Sequence, residues 1–228
     1  MKQTIAVIGA TEGMGSAVAY RLAAAGYCVL LTDDSDKHLT RFFAKLPLLL
    51  AKIRLEVPRA EVRIVFSARE ACWEADIIIF AVSSEDQAEV AQKIKDVVTR
   101  KIVVGATDSP NKTHNGLGTG STATASVGLS QLLPYSKIVK AYCTNSSEDL
   151  GRPWKAGPTA NVLVAGEDQE AVSTIMQIVN VVGLDPVITS QTTLNCTVRD
   201  WMYHADPSSG LNRAQRIEKF EGTAEETE

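Results

Sequence analysis

The chain has 228 residues, of which 45% are hydrophobic and 22% are charged. These proportions are typical of a globular protein and exclude a disordered chain, collagen and a coiled coil. The net charge of -4 at pH 7 provides no basic surface for a polyanion, so we expect no nucleic-acid partner.

The lengths of the apolar runs and the spacing of the cysteines indicate the cellular compartment of the protein. No segment has the pattern of a signal peptide, and no apolar run approaches the ~18 residues that a membrane span needs. The four cysteines are far apart and form no Cys-x-x-Cys pair, which predicts buried thiols in a reducing environment. We therefore expect a cytoplasmic protein without a membrane contact. The cysteines are Cys28, Cys72, Cys143 and Cys196.

The first segments predict a strand, a helix and a second strand. Ile5–Ile8 and Cys28–Leu31 are short apolar runs, and Ser16–Ala25 between them has apolar residues at helical spacing. Together they form one βαβ unit. The next segment, Lys37–Val57, has a helical pattern, but Pro47 lies within it and predicts two separate pieces.

The same alternation continues through the middle of the chain. Ser84 and Gln87 have the spacing of a capping box, which predicts a helix that runs to Val97. The alternation predicts an α/β fold with a doubly wound parallel sheet. The third, fourth and fifth strands are predicted at Val62–Phe66, Ile77–Val82 and Ile102–Val104.

A polar segment over residues 107–124 is rich in Gly, Ser, Thr and Asn and predicts a long loop at a strand end, where function is often found. We expect one domain over residues 1–190, with a small extension from about residue 110. Residues 191–228 form a C-terminal segment with a partly disordered acidic tail. Further strands are predicted at Ile138–Tyr142, Val162–Ala165 and Pro186–Thr189.

The turn between the first strand and its helix reads G-x-x-x-G-x-G. Glycines permit a tight turn and a close approach of the backbone, while the helix start offers N–H groups to a pyrophosphate. The strand-turn-helix context favours a dinucleotide site, and the alternative is a glycine-rich turn with no ligand. The candidate cofactor-binding residues are Gly9, Thr11, Glu12, Gly13, Met14 and Gly15.

Thr32 and Asp33 end the second strand, where a carboxylate can accept hydrogen bonds from the adenosine ribose. A 2′-phosphate about 4 Å away would be repelled by about 1 kcal/mol in water and about 4 kcal/mol at an intermediate dielectric. Asp33 therefore favours NAD over NADP. The alternative is that Asp33, Asp34 and Asp36 cap the following helix.

Four segments of the chain resemble the F420-dependent NADP oxidoreductase family. They are Ile5–Gly15, Ala75–Val82, Leu133–Tyr142 and Val162–Asp168. That family joins NADPH:deazaflavin oxidoreductases with the cytosolic modules of STEAP-type ferric reductases. The resemblance implies a Rossmann domain with a small C-terminal extension on the acceptor side. It also implies a nicotinamide over the carboxyl edge of the sheet, with a second redox partner stacked against it.

The resemblance also assigns residues to the two halves of the site. It implies that Thr11–Gly15 line the pyrophosphate, although Glu12 stands where the family usually has Gly. Asp33 stands where NADP-specific members carry Arg. The implied residues near the nicotinamide ribose are Ala81, Val82 and Ser83, and those facing the acceptor are Tyr142, Cys143, Thr144 and Asn145.

Several catalytic patterns are absent from the sequence. A short-chain dehydrogenase needs a Tyr with a Lys four residues later, and none of the five tyrosines has one. The three histidines have no partners at ligand spacing, so we expect no metal site. Lys140 alternates with Val139 and Ala141, which predicts a solvated strand face, and the alternative is a role near an acidic acceptor. Cys143 has no partner cysteine, which predicts a packing role.

The expected function is that of an NAD(P)-dependent oxidoreductase. It would transfer hydride between a nicotinamide and a small-molecule partner such as coenzyme F420, a flavin or a ferric acceptor. Such a transfer needs mainly alignment of the two reactants, so the absence of an acid/base pair agrees with it. The alternatives are a non-catalytic dinucleotide sensor or interaction domain and a dehydrogenase of small hydroxy or keto acids. A homodimer through Trp201–Tyr203 is a further expectation.

Overall fold

A computed structural model of the chain describes residues 3–11, 13–33, 39–83, 86–107, 128–143 and 161–189. Strands and helices alternate, as predicted. The strands are β1 (Thr4–Ile8), β2 (Cys28–Thr32), β3 (Val62–Ile64), β4 (Ile77–Phe80), β5 (Ile102–Thr107), β6 (Lys137–Cys143), β7 (Asn161–Gly166) and β8 (Asp185–Ile188). The helices are α1 (Gly13–Ala24), α2 (Leu39–Glu56), α3 (Ala68–Glu74), α4 (Gln87–Ile94) and α5 (Gln169–Val181), with a helical turn over 128–132.

The described strands form one sheet in the order β3-β2-β1-β4-β5-β6-β7-β8. Strands β1 to β6 run parallel in the order of a Rossmann fold, which confirms the predicted fold class. The order reverses direction between β1 and β4, so a ligand crevice lies at their carboxyl ends.

Strand β7 departs from the otherwise parallel arrangement, because it runs antiparallel to β6. A parallel connection needs a crossover of a dozen or more residues, usually a helix, and the polar sequence between these strands predicts none. Strand β8 runs parallel to β7 after crossing over through α5. The carboxyl edge of β6 therefore meets the amino ends of both β7 and β8.

Apolar layers cover both faces of the sheet. One layer packs the sheet against α1, α2 and α5, with Val7 and Val164 fully buried. The other packs it against α3, α4 and the 128–132 turn, with Ile78 and Leu129 at its centre. All four residues of β4 are buried, as expected for a strand in the middle of a sheet.

Helix α2 continues through Pro47, so the predicted break is wrong. Pro47 is exposed, whereas Phe42, Leu46 and Ile53 are buried beneath the helix. The carbonyl group that loses its partner at Pro47 therefore lies toward water, which can hydrogen-bond it. Packing of the opposite face then holds the helix in one piece.

Helix α4 begins at Gln87 with Asp86 at its N-cap and ends at Ile94, so it is shorter than the capping box predicted. The N–H groups of Asp86 and Gln87 both bond the Ser83 carbonyl, which forms a turn before the helix. Ser84 lies outside the described residues, as do the loop after β5 and the segment 191–228. None of the helices in the described part of the chain has the length and apolar character to cross a bilayer.

Candidate functional site

The turn between β1 and α1 is fixed to both neighbouring strands at the carboxyl edge of the sheet. The N–H groups of Gly9 and Ala10 donate to the Thr32 carbonyl at 3.0 and 3.2 Å. The N–H of Ala81 donates to the Ile8 carbonyl at 3.0 Å. The turn is therefore held in place at the point where the strand order reverses.

Two glycines of the turn leave no room for a side chain. Gly9 has a φ of +84°, and a Cβ on it would lie 2.2 Å from the Ala81 carbonyl oxygen. A Cβ on Gly15 would lie 2.0 Å from the Gly9 carbonyl oxygen. Because both obstacles are backbone atoms, they cannot rotate away. Glycine is thus required for the close approach of α1 to the ends of β1 and β4, as the motif predicts.

The first turn of α1 points its N–H groups to the same edge. The helix begins at Gly13 and has no acidic residue in its first turn. Its first N–H groups have no partner within the helix, and its dipole places partial positive charge there. Met14 and Gly15 are buried under the turn. These groups fit a pyrophosphate, while Glu12 lies outside the described residues.

Asp33 follows β2 directly and is half-buried. The Thr11 hydroxyl donates a hydrogen bond to its Oδ2 atom, which joins the glycine turn to the end of β2. Helix α2 is described from Leu39 onward, six residues after Asp33. Asp34 and Asp36 lie outside the described residues. Asp33 therefore stands at the edge where an adenosine ribose would lie in such a fold.

Thr32 contributes through its backbone. Its side chain is fully buried, and its Oγ1 atom has no hydrogen-bond partner among the residues that the structure describes. Its carbonyl oxygen accepts the two bonds from the glycine turn. Thr32 thus shapes the turn from inside the sheet, and a ribose can reach only its main chain.

Residues 81–83 connect β4 to the turn before α4. The Ser83 hydroxyl donates to Asp86 Oδ2 at 2.8 Å, and the Gln87 side-chain amide donates to the Val82 carbonyl at 3.5 Å. Ala81 is bonded to β1, as described above, so this loop stands beside the glycine turn. The contact of Ala81, Val82 and Ser83 with a nicotinamide ribose stays a prediction.

The end of β6 is buried. Tyr142 is 3% exposed and Cys143 is 5% exposed. Cys143 belongs to the apolar cluster under α1 and α5, in agreement with a packing role. Thr144 and Asn145 lie outside the described residues. Whether these four residues face an acceptor stays a prediction.

Lys140 is buried, so the expected solvated face of β6 is wrong. The residue is only 7% exposed, and burial lowers the pKa of its amine. Small residues flank it, because its pairing partners are Gly105 on β5 and Ala165 on β7. Alternation with apolar neighbours was read as one solvated face. In a central strand, however, both faces are covered.

Residues 4–109 match the model of a family described as NADP oxidoreductase, coenzyme F420-dependent. The predicted family resemblance is confirmed over that segment. The family so described is one of NADP-dependent oxidoreductases. The match contains the glycine turn, Asp33 and the β4 loop, which the structure brings to one edge.

Solved structures of reductases share the fold of the chain. An imine reductase from Myxococcus stipitatus in complex with NADP+ is 16% identical, with a TM-score of 0.62 over 88% of this chain and 61% of its own. A pyrroline-5-carboxylate reductase from Coxiella burnetii is 17% identical, with a TM-score of 0.58 over 98% and 77%.

A hypothetical protein from Sinorhizobium meliloti is 21% identical, with a TM-score of 0.59 over 83% of this chain and 85% of its own. The chain thus spans less than two thirds of the imine reductase but most of this shorter protein. Among the curated proteins, none matches the sequence.

Proposed function

We propose that the protein transfers hydride between a nicotinamide dinucleotide and a second, small-molecule redox partner near the end of β6. The observation that carries this proposal is the glycine turn, in which Gly9 and Gly15 pack directly on backbone oxygens at the point where the strand order reverses. The nicotinamide supplies or accepts the hydride when it is bound.

The residues of the chain bind and orient the dinucleotide. The N-terminus of α1 would hold the pyrophosphate through backbone N–H groups, which need no charged side chain. Asp33 would accept hydrogen bonds from the adenosine ribose while its Oδ2 receives the Thr11 hydroxyl. Because the carboxylate would repel a 2′-phosphate, we propose NAD as the preferred cofactor.

The acceptor we favour is a deazaflavin or a flavin. The family description names coenzyme F420, which supports a deazaflavin. A ferric chelate is an alternative. The similar imine and pyrroline-5-carboxylate reductases support a small-molecule substrate of a different kind, so small imines and keto acids belong in the same screen. A cytoplasmic location and a homodimer stay predictions.

The first experiment measures the affinities for NADH and NADPH by fluorescence titration. We expect NADH to bind several-fold more tightly, and Asp33→Arg to reverse this order, because Arg pairs with the 2′-phosphate that Asp repels. Asp96→Arg is the control. It makes the same charge change at an exposed site beside Arg69, and it should leave the order unchanged.

The outcomes separate the candidate functions. Equal affinities in the original protein and in Asp33→Arg would remove Asp33 from the ribose site. A protein that binds neither coenzyme would contradict the proposed function. Saturable NADH binding without turnover of deazaflavins, flavins, ferric chelates, imines or keto acids would instead favour a dinucleotide sensor.

A further inference from the structure

The amine of Lys140 is buried and has no partner among the described residues. Its residue is 93% buried, and none of the described residues accepts a hydrogen bond from its Nζ atom. Charged groups in protein interiors are normally paired, because a buried unpaired charge lowers stability. Lys101 shows the usual arrangement, since its Nζ donates to the carbonyls of Cys72, Trp73 and Ala75 at 2.7 to 2.8 Å.

Within the described part of the chain, the surroundings of Lys140 supply almost no compensating charge. Gly105 and Ala165 flank it in the sheet, and Leu129 packs over Gly105, with Cδ2 3.5 Å from the position a Cβ would take. Tyr142 is the titratable neighbour on the same face of β6. Glu167, exposed just after β7, acts on Lys140 through its charge and raises the pKa that burial lowers.

Lys140 is close to the edge where the acceptor would lie. It precedes Tyr142 by two residues on the same face of β6, and β6 ends at Cys143. Two residues of a strand span ~6.6 Å, which is about the length of an extended lysine side chain. The helical Tyr-x-x-x-Lys pattern is absent from the sequence, but the strand places Lys140 and Tyr142 on one face at the acceptor end.

The chemistry of the acceptor decides whether a nearby cation stabilises the product of hydride transfer. Hydride addition to a neutral flavin, deazaflavin or carbonyl leaves negative charge on a conjugated nitrogen or oxygen, and a fixed cation stabilises that charge. Hydride addition to an iminium cancels a positive charge instead. A lysine ammonium would repel the iminium before the reaction and stabilise nothing after it.

We propose that the Lys140 ammonium binds the oxygen or ring nitrogen that becomes negative in a neutral acceptor, and that it selects flavin-like acceptors over iminium ions. This inference rests on the proposed function. Hydride passes from C4 of the reduced nicotinamide, with both bonding electrons, to N5 of a flavin or C5 of a deazaflavin, so the nicotinamide is oxidised and the acceptor reduced. The electron pair displaced in the acceptor reaches the atom beside Lys140, and the proton stays on Nζ.

The test compares Lys140→Met with Lys137→Met. Met has nearly the volume of Lys without its charge, and Lys137 is a half-buried lysine of the same strand, 3.1 Å from both Asp168 and Glu170. The measurements are the Kd for NADH, the melting temperature, and kcat and KM with riboflavin, 5-deazariboflavin and the protonated imine 1-pyrroline.

We expect Lys140→Met to lower kcat/KM for the two flavins by about 100-fold, the effect of removing one charge-stabilising donor. The Kd for NADH should stay within about twofold, and the melting temperature should rise because a buried unpaired amine is lost. Activity with 1-pyrroline should be low in the original protein and should increase in the variant. Lys137→Met should change neither the Kd for NADH nor kcat/KM with any of the three acceptors.

Other outcomes would overturn the inference. If Lys140→Met melts at a lower temperature and reduces flavins as fast as the original protein, Lys140 is structural and the proposed function stands. If the original protein prefers 1-pyrroline to both flavins, the selectivity argument is wrong. If the original protein binds no nicotinamide coenzyme, the proposed function itself fails, which the NADH titration shows separately.

Discussion

The half of the sheet around β1, β2 and β4 and the half around β5, β6 and β7 differ in how their buried polar groups are paired. Around β1, β2 and β4, side-chain hydrogen bonds hold the polar groups, as in the Thr11–Asp33 hydrogen bond and the Ser83–Asp86 pair. The buried Thr32 hydroxyl is unpartnered there, but a neutral hydroxyl costs much less than an ammonium. Around β5, β6 and β7, the Lys140 amine lies buried with no described acceptor.

We interpret the nucleotide half as a site that is formed before its ligand binds. The proposed acceptor half would gain its missing hydrogen-bond partner only when a ligand binds. The nucleotide half has its turn and strand ends fixed by backbone hydrogen bonds before any ligand binds. Such a site loses little entropy when the cofactor enters. The proposed acceptor half keeps a cation that has no hydrogen-bond acceptor among the described residues, and a second redox partner would supply one. Three substitutions test the comparison.

Gly15→Ala should have the largest effect on stability and NADH binding, because it places a side chain inside the preformed turn. The added methyl would meet the Gly9 carbonyl oxygen at 2.0 Å, and overpacking of this kind costs about 3 kcal/mol. Urea unfolding measures the loss, and NADH titration should show loss of binding. Gly128→Ala is the matched control, since a Cβ there has nothing within 4 Å. If both variants are equally stable, the turn is not tightly packed.

Lys101→Met should lower the stability of the protein, whereas Lys140→Met should raise it. The Lys101 amine bonds three carbonyls around the C-terminal end of α3, so its removal leaves these carbonyls without their partner. We expect a loss of about 2 kcal/mol in the free energy of unfolding. A gain of stability in Lys101→Met, or a similar loss in both variants, would contradict the distinction between the two lysines.

Tyr20→Phe should have the smallest effect. The Tyr20 hydroxyl donates to Glu56 Oε2 at 2.6 Å, which joins α1 to α2. Its loss should cost about 1 kcal/mol. Tyr27→Phe is the control, because burial alone raises the pKa of Tyr27. If the two variants lose equal stability, the Glu56 bond contributes nothing to the nucleotide half.

The pH dependence of Tyr20 sharpens the same test. The hydrogen bond to Glu56 and burial raise the pKa of Tyr20 from 10.0 to about 12. The folded protein then holds the phenol proton more tightly than the unfolded chain does. The contribution is complete below pH 10.0 and is lost as the pH rises through about 12. Tyr20→Phe should remove that part of the alkaline loss of stability.

Local patterns in the sequence were enough to predict the nucleotide half. Apolar runs, helical spacing and glycines identify β1, α1 and β2 because each depends on neighbouring residues. The spacing also placed Asp33 at a strand end, which the structure confirms. The Thr11–Asp33 bond could not be predicted, because it joins two loops that meet only in the folded sheet.

The acceptor half depended on contacts between distant segments. The direction of β7 was decided by its pairing with β6. The continuity of α2 through Pro47, in the nucleotide half, was decided by burial of the opposite face of the helix. The burial of Lys140 was decided in the same way, since Gly105 and Ala165 become its neighbours only through strand pairing.

The sequence by itself determined the order of the elements and the glycine turn, because periodicity and backbone sterics act over a few residues. Only the tertiary structure decided which polar groups are partnered. The pairing and burial of a polar group depend on residues that are far apart in the chain, so a local sequence pattern cannot predict them.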